Sequence, residues 1–146
     1  MNAPVRTAAP VLLREDADGI ALLTLNRPQA RNSLDEALIA ALAAALRAIA
    51  VDRAVRAVVL AANGPAFSAG HDLKEITARR ADPDRGRAFF ERVMQACANM
   101  MLQIVRLPQP VIAAVQGTAT AAGCQLVASC DLAGVSLERV RRGLAS

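Results

Sequence analysis

Apolar and polar positions follow two rhythms along this chain. Residues 11–14 and 20–25 are short apolar runs separated by Glu15-Asp16-Ala17-Asp18-Gly19. An Asp-Gly pair between two such runs predicts a β-hairpin. Asn26-Arg27-Pro28 ends the second strand. Leu34, Leu38, Leu42 and Leu46 then fall four apart, with Ile39 and Ile49 beside them, which is the spacing of one helical face. Ser33 with Glu36 three residues on reads as a capping box for this helix, which runs to about Ala50. Residues 57–61 predict a buried strand, and Asn63-Gly64-Pro65 a turn. Asp72 and Glu75 form a second box-like helix start. A longer helix is predicted after Asp82-Pro83-Asp84, with Pro83 in its first turn. It reaches about Arg106 and buries Phe89, Val93, Met100 and Ile104. Residues 111–115 predict another buried strand, broken by Gly117. From about Ala119 small residues lead into a helix carrying Leu126 and Val127. The order β-β-α-β-α-α-β-α predicts an α/β domain.

Composition narrows this picture. A chain of 146 residues with 54% apolar content suits one domain with a real core. No apolar run approaches the length of a membrane span. Residues 1–10 lack a signal-peptide core and read as a disordered N-terminus. Cys97, Cys124 and Cys130 form no C-x-x-C pair, and the chain has one histidine, so a metal site is not expected. The cysteines read as reduced, buried thiols in a cytosol-like compartment. The net charge of +4 is carried almost wholly by arginine, and Lys74 is the single lysine. Such a surface can attract phosphate-bearing ligands. Three Phe with no Tyr or Trp argue against a stacking surface for nucleic acid.

The candidate chemistry lies at two strand-to-helix turns, one near Gly70 and one near Ala122. The first turn of a helix leaves backbone N–H groups unpaired. The second turn is lined by Thr120, Ala121, Ala122 and Gly123, small enough for a ligand oxygen to reach the backbone. Convergence of the two turns would make a two-donor cradle for one oxygen carrying developing charge. Small residues at such turns also simply let a helix pack tightly on a sheet. Neither G-x-G-x-x-G nor G-x-x-x-x-G-K-[ST] occurs, so a nucleotide-binding reading has little to carry it.

Three motifs in order resemble the crotonase superfamily of enoyl-CoA hydratases and isomerases. They are Asn26-Arg27-Pro28 with Arg31-Asn32-Ser33-Leu34; Phe67-Ser68-Ala69-Gly70-His71-Asp72-Leu73-Lys74-Glu75; and Val111-Ile112-Ala113-Ala114-Val115-Gln116-Gly117, continuing through Ala121-Ala122-Gly123-Cys124 to Cys130-Asp131-Leu132. The resemblance covers about residues 11–133, read as a partial domain, with residues 134–146 as a divergent basic tail. It implies a spiral of ββα units, cut short before the C-terminal helical region, and an acyl-CoA thioester as substrate. Coenzyme A would arrive as part of the substrate, with no separate cofactor. By position in the motifs, the backbone N–H groups of His71 and Ala122 would hold the thioester oxygen. Arg27, Arg31, Ser68, Ala69, His71, Asp72, Leu73, Lys74 and Ala122 would line the substrate and its coenzyme A moiety. Cys124 reads as a small buried residue. Family hydratases carry a glutamate where this chain has Gln125, and an amide cannot accept and return a proton at neutral pH. The family's second carboxylate lies beyond the strand near Asp131. The resemblance therefore leaves two readings: an enolate-stabilising hydratase or isomerase of acyl-CoA metabolism, and a catalytically impaired acyl-CoA-binding protein. It further implies homo-oligomers (trimers or hexamers) built by C-terminal helices. With the composition above, no nucleic-acid or membrane partner is expected, and the location is cytoplasmic, or the mitochondrial matrix for a eukaryotic source.

Overall fold

The computed structural model describes residues 8–136. The expectations for residues 1–7 and for the basic tail from residue 137 onward lie outside the described residues. The hairpin forms from β1 (Leu12–Ala17) and β2 (Ile20–Leu25), paired antiparallel. Asp18 and Gly19 at its tip both have positive φ, 53° and 80°, as a tight turn between right-twisted strands demands. β3 (Ala57–Ala62), β5 (Val111–Val115) and β7 (Leu132–Val135) add parallel strands, giving the order β1-β2-β3-β5-β7. Two further short strands, β4 (Ala66–Ser68) and β6 (Thr118–Ala119), pair with each other in a separate small sheet.

Alternation along the strands decides which face is covered. Ala21, Val58 and Val111 stand in one cross-strand row, and Leu23, Leu60 and Ala113 in the next, all buried. They form one core with Leu38, Leu42, Leu46 and Ile49 of α1 (Glu36–Ala50) and Phe89, Val93, Met100 and Ile104 of α3 (Arg87–Arg106). α2 (Leu73–Ala78) and α4 (Ala122–Ala128) are short and follow the two small strands. Gln109 is buried beside the end of α1, where its amide donates to the Ile49 carbonyl at 2.7 Å. The Ile49 carbonyl also accepts from Asp52 N at 3.0 Å, so Gln109 adds a second donor at the helix end.

Four helix starts differ in detail from the sequence expectation. Ser33 does not cap α1. Asp35 does, accepting from Leu38 N at 2.8 Å. The reason is tertiary: the Leu34 amide donates to the Gly70 carbonyl at 2.7 Å and the Ser33 hydroxyl to Asp72 at 3.2 Å, so this stretch is committed elsewhere. Glu75 does not close a box on Asp72 either; its carboxylate accepts the Glu36 amide at 3.1 Å and so caps the neighbouring helix. Pro83 lies outside α3, which starts four residues later, after Arg85 and Gly86 at positive φ. Asp84 supplies the cap, accepting from Gly86 N at 3.0 Å and Ala88 N at 2.9 Å. Thr118 and Ala119 pair with β4 instead of opening α4, which begins at Ala122.

Candidate functional site

The site is built where the loop after β4 meets the loop after β6. Three residues of the β2–α1 connection, Arg31, Asn32 and Leu34, hold the first loop. Asn32 is fully buried at φ 50°, a conformation asparagine tolerates better than most residues. Its side-chain Oδ1 accepts from Arg27 N at 2.8 Å, and its Nδ2 donates to Asn63 O at 2.8 Å and Ala66 O at 2.9 Å. Ser68, also fully buried, donates its hydroxyl to Asn32 O at 2.9 Å and accepts from Gly70 N at 3.3 Å. The Ala69 amide donates to Arg31 O at 3.0 Å. Leu34 and His71 form a parallel bridge, in which Leu34 N donates to Gly70 O and Asp72 N to Leu34 O. Those bonds use the groups on either side of His71 and leave the His71 N–H itself without an acceptor among the described residues.

The second loop is held against the first. Thr120 N donates to Ser68 O at 3.1 Å. Ala121 adopts φ 49°, ψ −125°, a region that non-glycine residues rarely enter. The residue after it, Ala122, is buried at the start of α4, and its N–H likewise has no acceptor among the described residues. The two loops touch at Gly70. A Cβ built there would lie 3.0 Å from Ala121 Cβ and 3.2 Å from Ala122 N, and Gly70 has φ 90°. Gly123 lies still closer to the first loop, since a Cβ on it would overlap the Ser68 carbonyl. The small residues let α4 pack against β4 and place Ala122 N close to Gly70, the residue preceding His71.

The side chains assigned to the site divide into two sets. Ala69, Leu73, Lys74, Arg31 and Gln125 are exposed. Arg27, Ser68 and Asp72 are tied up within the protein. Arg27 Nη2 lies 3.1 Å from Asp72 Oδ2 and 3.2 Å from Asp35 Oδ2, and Nη1 donates to the Ser33 carbonyl and hydroxyl. Both terminal nitrogens are therefore engaged, which leaves little of this guanidinium for a ligand phosphate. Burial alone would raise the Asp72 carboxyl. The Glu75 amide, the Arg27 guanidinium and the Ser33 hydroxyl outweigh it and hold the group below the usual aspartate range. Burial raises Glu75, and the nearby charges of Asp35, Asp72 and Glu36 add to that push. Burial lowers the His71 imidazole, whose Nδ1 is enclosed without a hydrogen-bond partner. Cys124 is exposed on α4, against the expectation of a buried residue, because the buried face of this short helix is carried by Ala122, Gly123 and Leu126. Cys97 is buried as expected, and Cys130 is half-buried.

Among the described residues no group of His, Cys, Asp and Glu could hold a metal ion, and no helix is long and apolar enough to cross a membrane. A groove of about 490 Å³ between α1 and α3, lined by Ile39, Ala43, Arg92 and Met100 among others, shares no residue with the two loops. Sequence reasoning passed over Asn32 as a structural hub. Its signal was an asparagine in a short loop between an arginine and a serine, which states a turn preference but not which carbonyls it will reach.

With this geometry in view, residues 15–138 match the enoyl-CoA hydratase/isomerase family. The chain belongs to that family. It is 43% identical over 116 residues to the Homo sapiens protein named enoyl-CoA hydratase domain-containing protein 3, mitochondrial, an alignment covering 80% of this chain and 37% of the relative. A probable enoyl-CoA hydratase of Rhizobium meliloti is 40% identical over 120 residues, covering 82% of this chain and 44% of the relative. The crystal structure of a Mycobacterium smegmatis enoyl-CoA hydratase superposes with a TM-score of 0.79 at 51% identity, covering 92% of this chain and 53% of that one. The chain thus spans less than half the length of these curated relatives, and its α/β architecture is that of the corresponding part of the crotonase fold.

Proposed function

We propose that the chain binds acyl-CoA thioesters and that the amides of His71 and Ala122 together hold the thioester oxygen. The observation that supports this reading is a pair of N–H groups, each without an acceptor among the described residues, on two sequence-distant loops that touch at Gly70. A thioester enolate concentrates charge on that oxygen, and two fixed donors match it. Removing one such donor costs about 3 kcal/mol of transition-state stabilisation in other enzymes. The exposed segment from Leu73 to Lys74, with Arg31, is the surface for the coenzyme A moiety. The reading needs no cofactor beyond the coenzyme A that the substrate carries.

Gln125 favours a second reading at the level of catalysis. Its amide occupies the position where family hydratases carry a glutamate, and it can orient a ligand or a water but cannot shuttle a proton. On this reading the chain binds acyl-CoA without hydratase turnover. Isothermal titration with a panel of acyl-CoA thioesters, with free coenzyme A and ATP as controls, tests the shared part. Binding of thioesters well above free coenzyme A is expected, and equal binding of ATP would defeat it. A crotonyl-CoA hydration assay separates the two readings, since hydratase-level turnover is incompatible with the binding-only one.

A further inference from the structure

We infer that Arg27 is a positioning residue: its guanidinium bridges Asp35 and Asp72 and thereby fixes the segment that aims the His71 amide. The inference rests on the proposed role of that amide, and it gives Arg27 a different task from the phosphate contact that its motif suggests. The geometry is specific. Nη2 reaches both carboxylates, at 3.2 Å to Asp35 and 3.1 Å to Asp72, while Nη1 holds the Ser33 carbonyl and hydroxyl. The three charged side chains are 15%, 17% and 13% exposed, so solvent screens this group far less than a surface pair. Asp72 divides its carboxylate: Oδ1 caps α2 through Lys74 N and Glu75 N, and Oδ2 takes Arg27 and Ser33. The His71 N–H shares its peptide plane with the Gly70 carbonyl, which accepts from Leu34 N at 2.7 Å. Asp35 directly follows Leu34 and Asp72 directly follows His71, so the Arg27 bridge clamps the two segments whose pairing aims this N–H.

The surrounding charge makes the cation necessary. Asp35, Glu36, Asp72 and Glu75 gather at the adjoining starts of α1 and α2 and act on one another. Arg92 pairs with Glu36 at the outer edge of this group, at 3.0 Å. Arg27 is the cation at its centre. Without it, Asp35 and Asp72 would face each other unpaired and partly buried, and the loop would move to separate them. A planar fork that serves carboxylates on one nitrogen and a carbonyl on the other is also something an ammonium cannot reproduce.

The test compares two ligands that differ at the thioester oxygen. Butyryl-CoA is the thioester, and S-butyl-CoA is the thioether of the same chain length without that oxygen. Titration calorimetry on the full chain gives the ratio of their affinities. The wild-type protein is expected to prefer the thioester. In Arg27→Met that preference should fall about tenfold, because small displacements of a donor are costly, while S-butyl-CoA affinity stays unchanged. Arg27→Lys should not restore the preference. Ser33→Ala, a smaller change that removes the hydroxyl shared by Arg27 and Asp72, should lower it in the same direction, and it decides the matter if Arg27→Met does not fold. An unchanged preference in a folded variant, rescue by lysine, or equal weakening of both ligands (the mark of a phosphate contact) would each overturn the inference. Absence of any preference in the wild-type protein would instead overturn the thioester cradle, before any variant is made.

Discussion

His71 is the single histidine of the chain, so its imidazole can be followed without assignment ambiguity. Burial holds it below the ordinary histidine value of 6.5, and Nδ1 is enclosed without a partner. The folded protein therefore binds this proton less tightly than the unfolded chain. His71 contributes its full stability above pH 6.5 and loses it as pH falls through the folded value. An NMR titration of the ring signal should give a midpoint below 6.5, and His71→Gln should flatten the fall in melting temperature over that pH range. Gly123 allows a second experiment at this scale. A Cβ there would overlap the Ser68 carbonyl, which cannot retreat without breaking its bond to Thr120 N. Gly134, by contrast, has open space around its Cβ position. Gly123→Ala should cost about 1–3 kcal/mol in denaturant unfolding, and Gly134→Ala almost nothing.

Helix caps and exposed helix faces set what can be tested one level up. Asp35→Ala should cost more than the about 1 kcal/mol usual for a capping carboxylate, because it also removes one arm of the Arg27 bridge. The same change should leave α3 untouched, as amide exchange along Arg87–Arg106 would report. On α4, Cys124 is open to solvent, while burial raises Cys97 and raises Cys130, helped by Asp131, to about 11. Iodoacetamide at pH 7.5 should therefore label Cys124 first, and mass mapping of the peptides would show it. An acyl-CoA seated beside Ala122 and Gln125 should slow that labelling. The same elements show what was legible in the sequence. The four-residue leucine spacing of α1 and the short apolar runs of β2, β3 and β5 are local patterns, and the sheet core follows them. β4 and β6 are three and two residues long, too short for any periodicity, and exist because each supplies the other's backbone partner. The caps were misplaced for a related reason. Ser33 and Glu75 have capping chemistry, but their hydroxyl and carboxylate are drawn to Asp72 and Glu36, residues far away in sequence. The motif residues of the site were readable as a resemblance, whereas the inward turn of Arg27 and Ser68 depends on contacts across the fold.

The molecule as a whole presents an uneven surface, and the unevenness has a measurable consequence. Among the described residues β7 stands at the edge of the five-stranded sheet, and all its residues are exposed. Leu132 and Val135 are 66% and 56% exposed there. An apolar edge strand is a template for pairing with another chain. The opposite edge, β1, is polar in comparison: Arg14, Glu15 and Asp16 occupy its centre, and Arg14 is paired with Asp16. Charges along an edge are a standard defence against such pairing. Association should therefore proceed through β7 and not β1. Sedimentation velocity at increasing protein concentration should show concentration-dependent association, and Leu132→Lys should suppress it while changing unfolding stability by less than about 0.5 kcal/mol, since the side chain is on the surface. Substituting a lysine at Glu15 on β1 should leave association unaltered. A wild-type chain that stays monomeric at every concentration, or a Leu132→Lys variant that associates as strongly as the wild type, would move the source of association away from this edge.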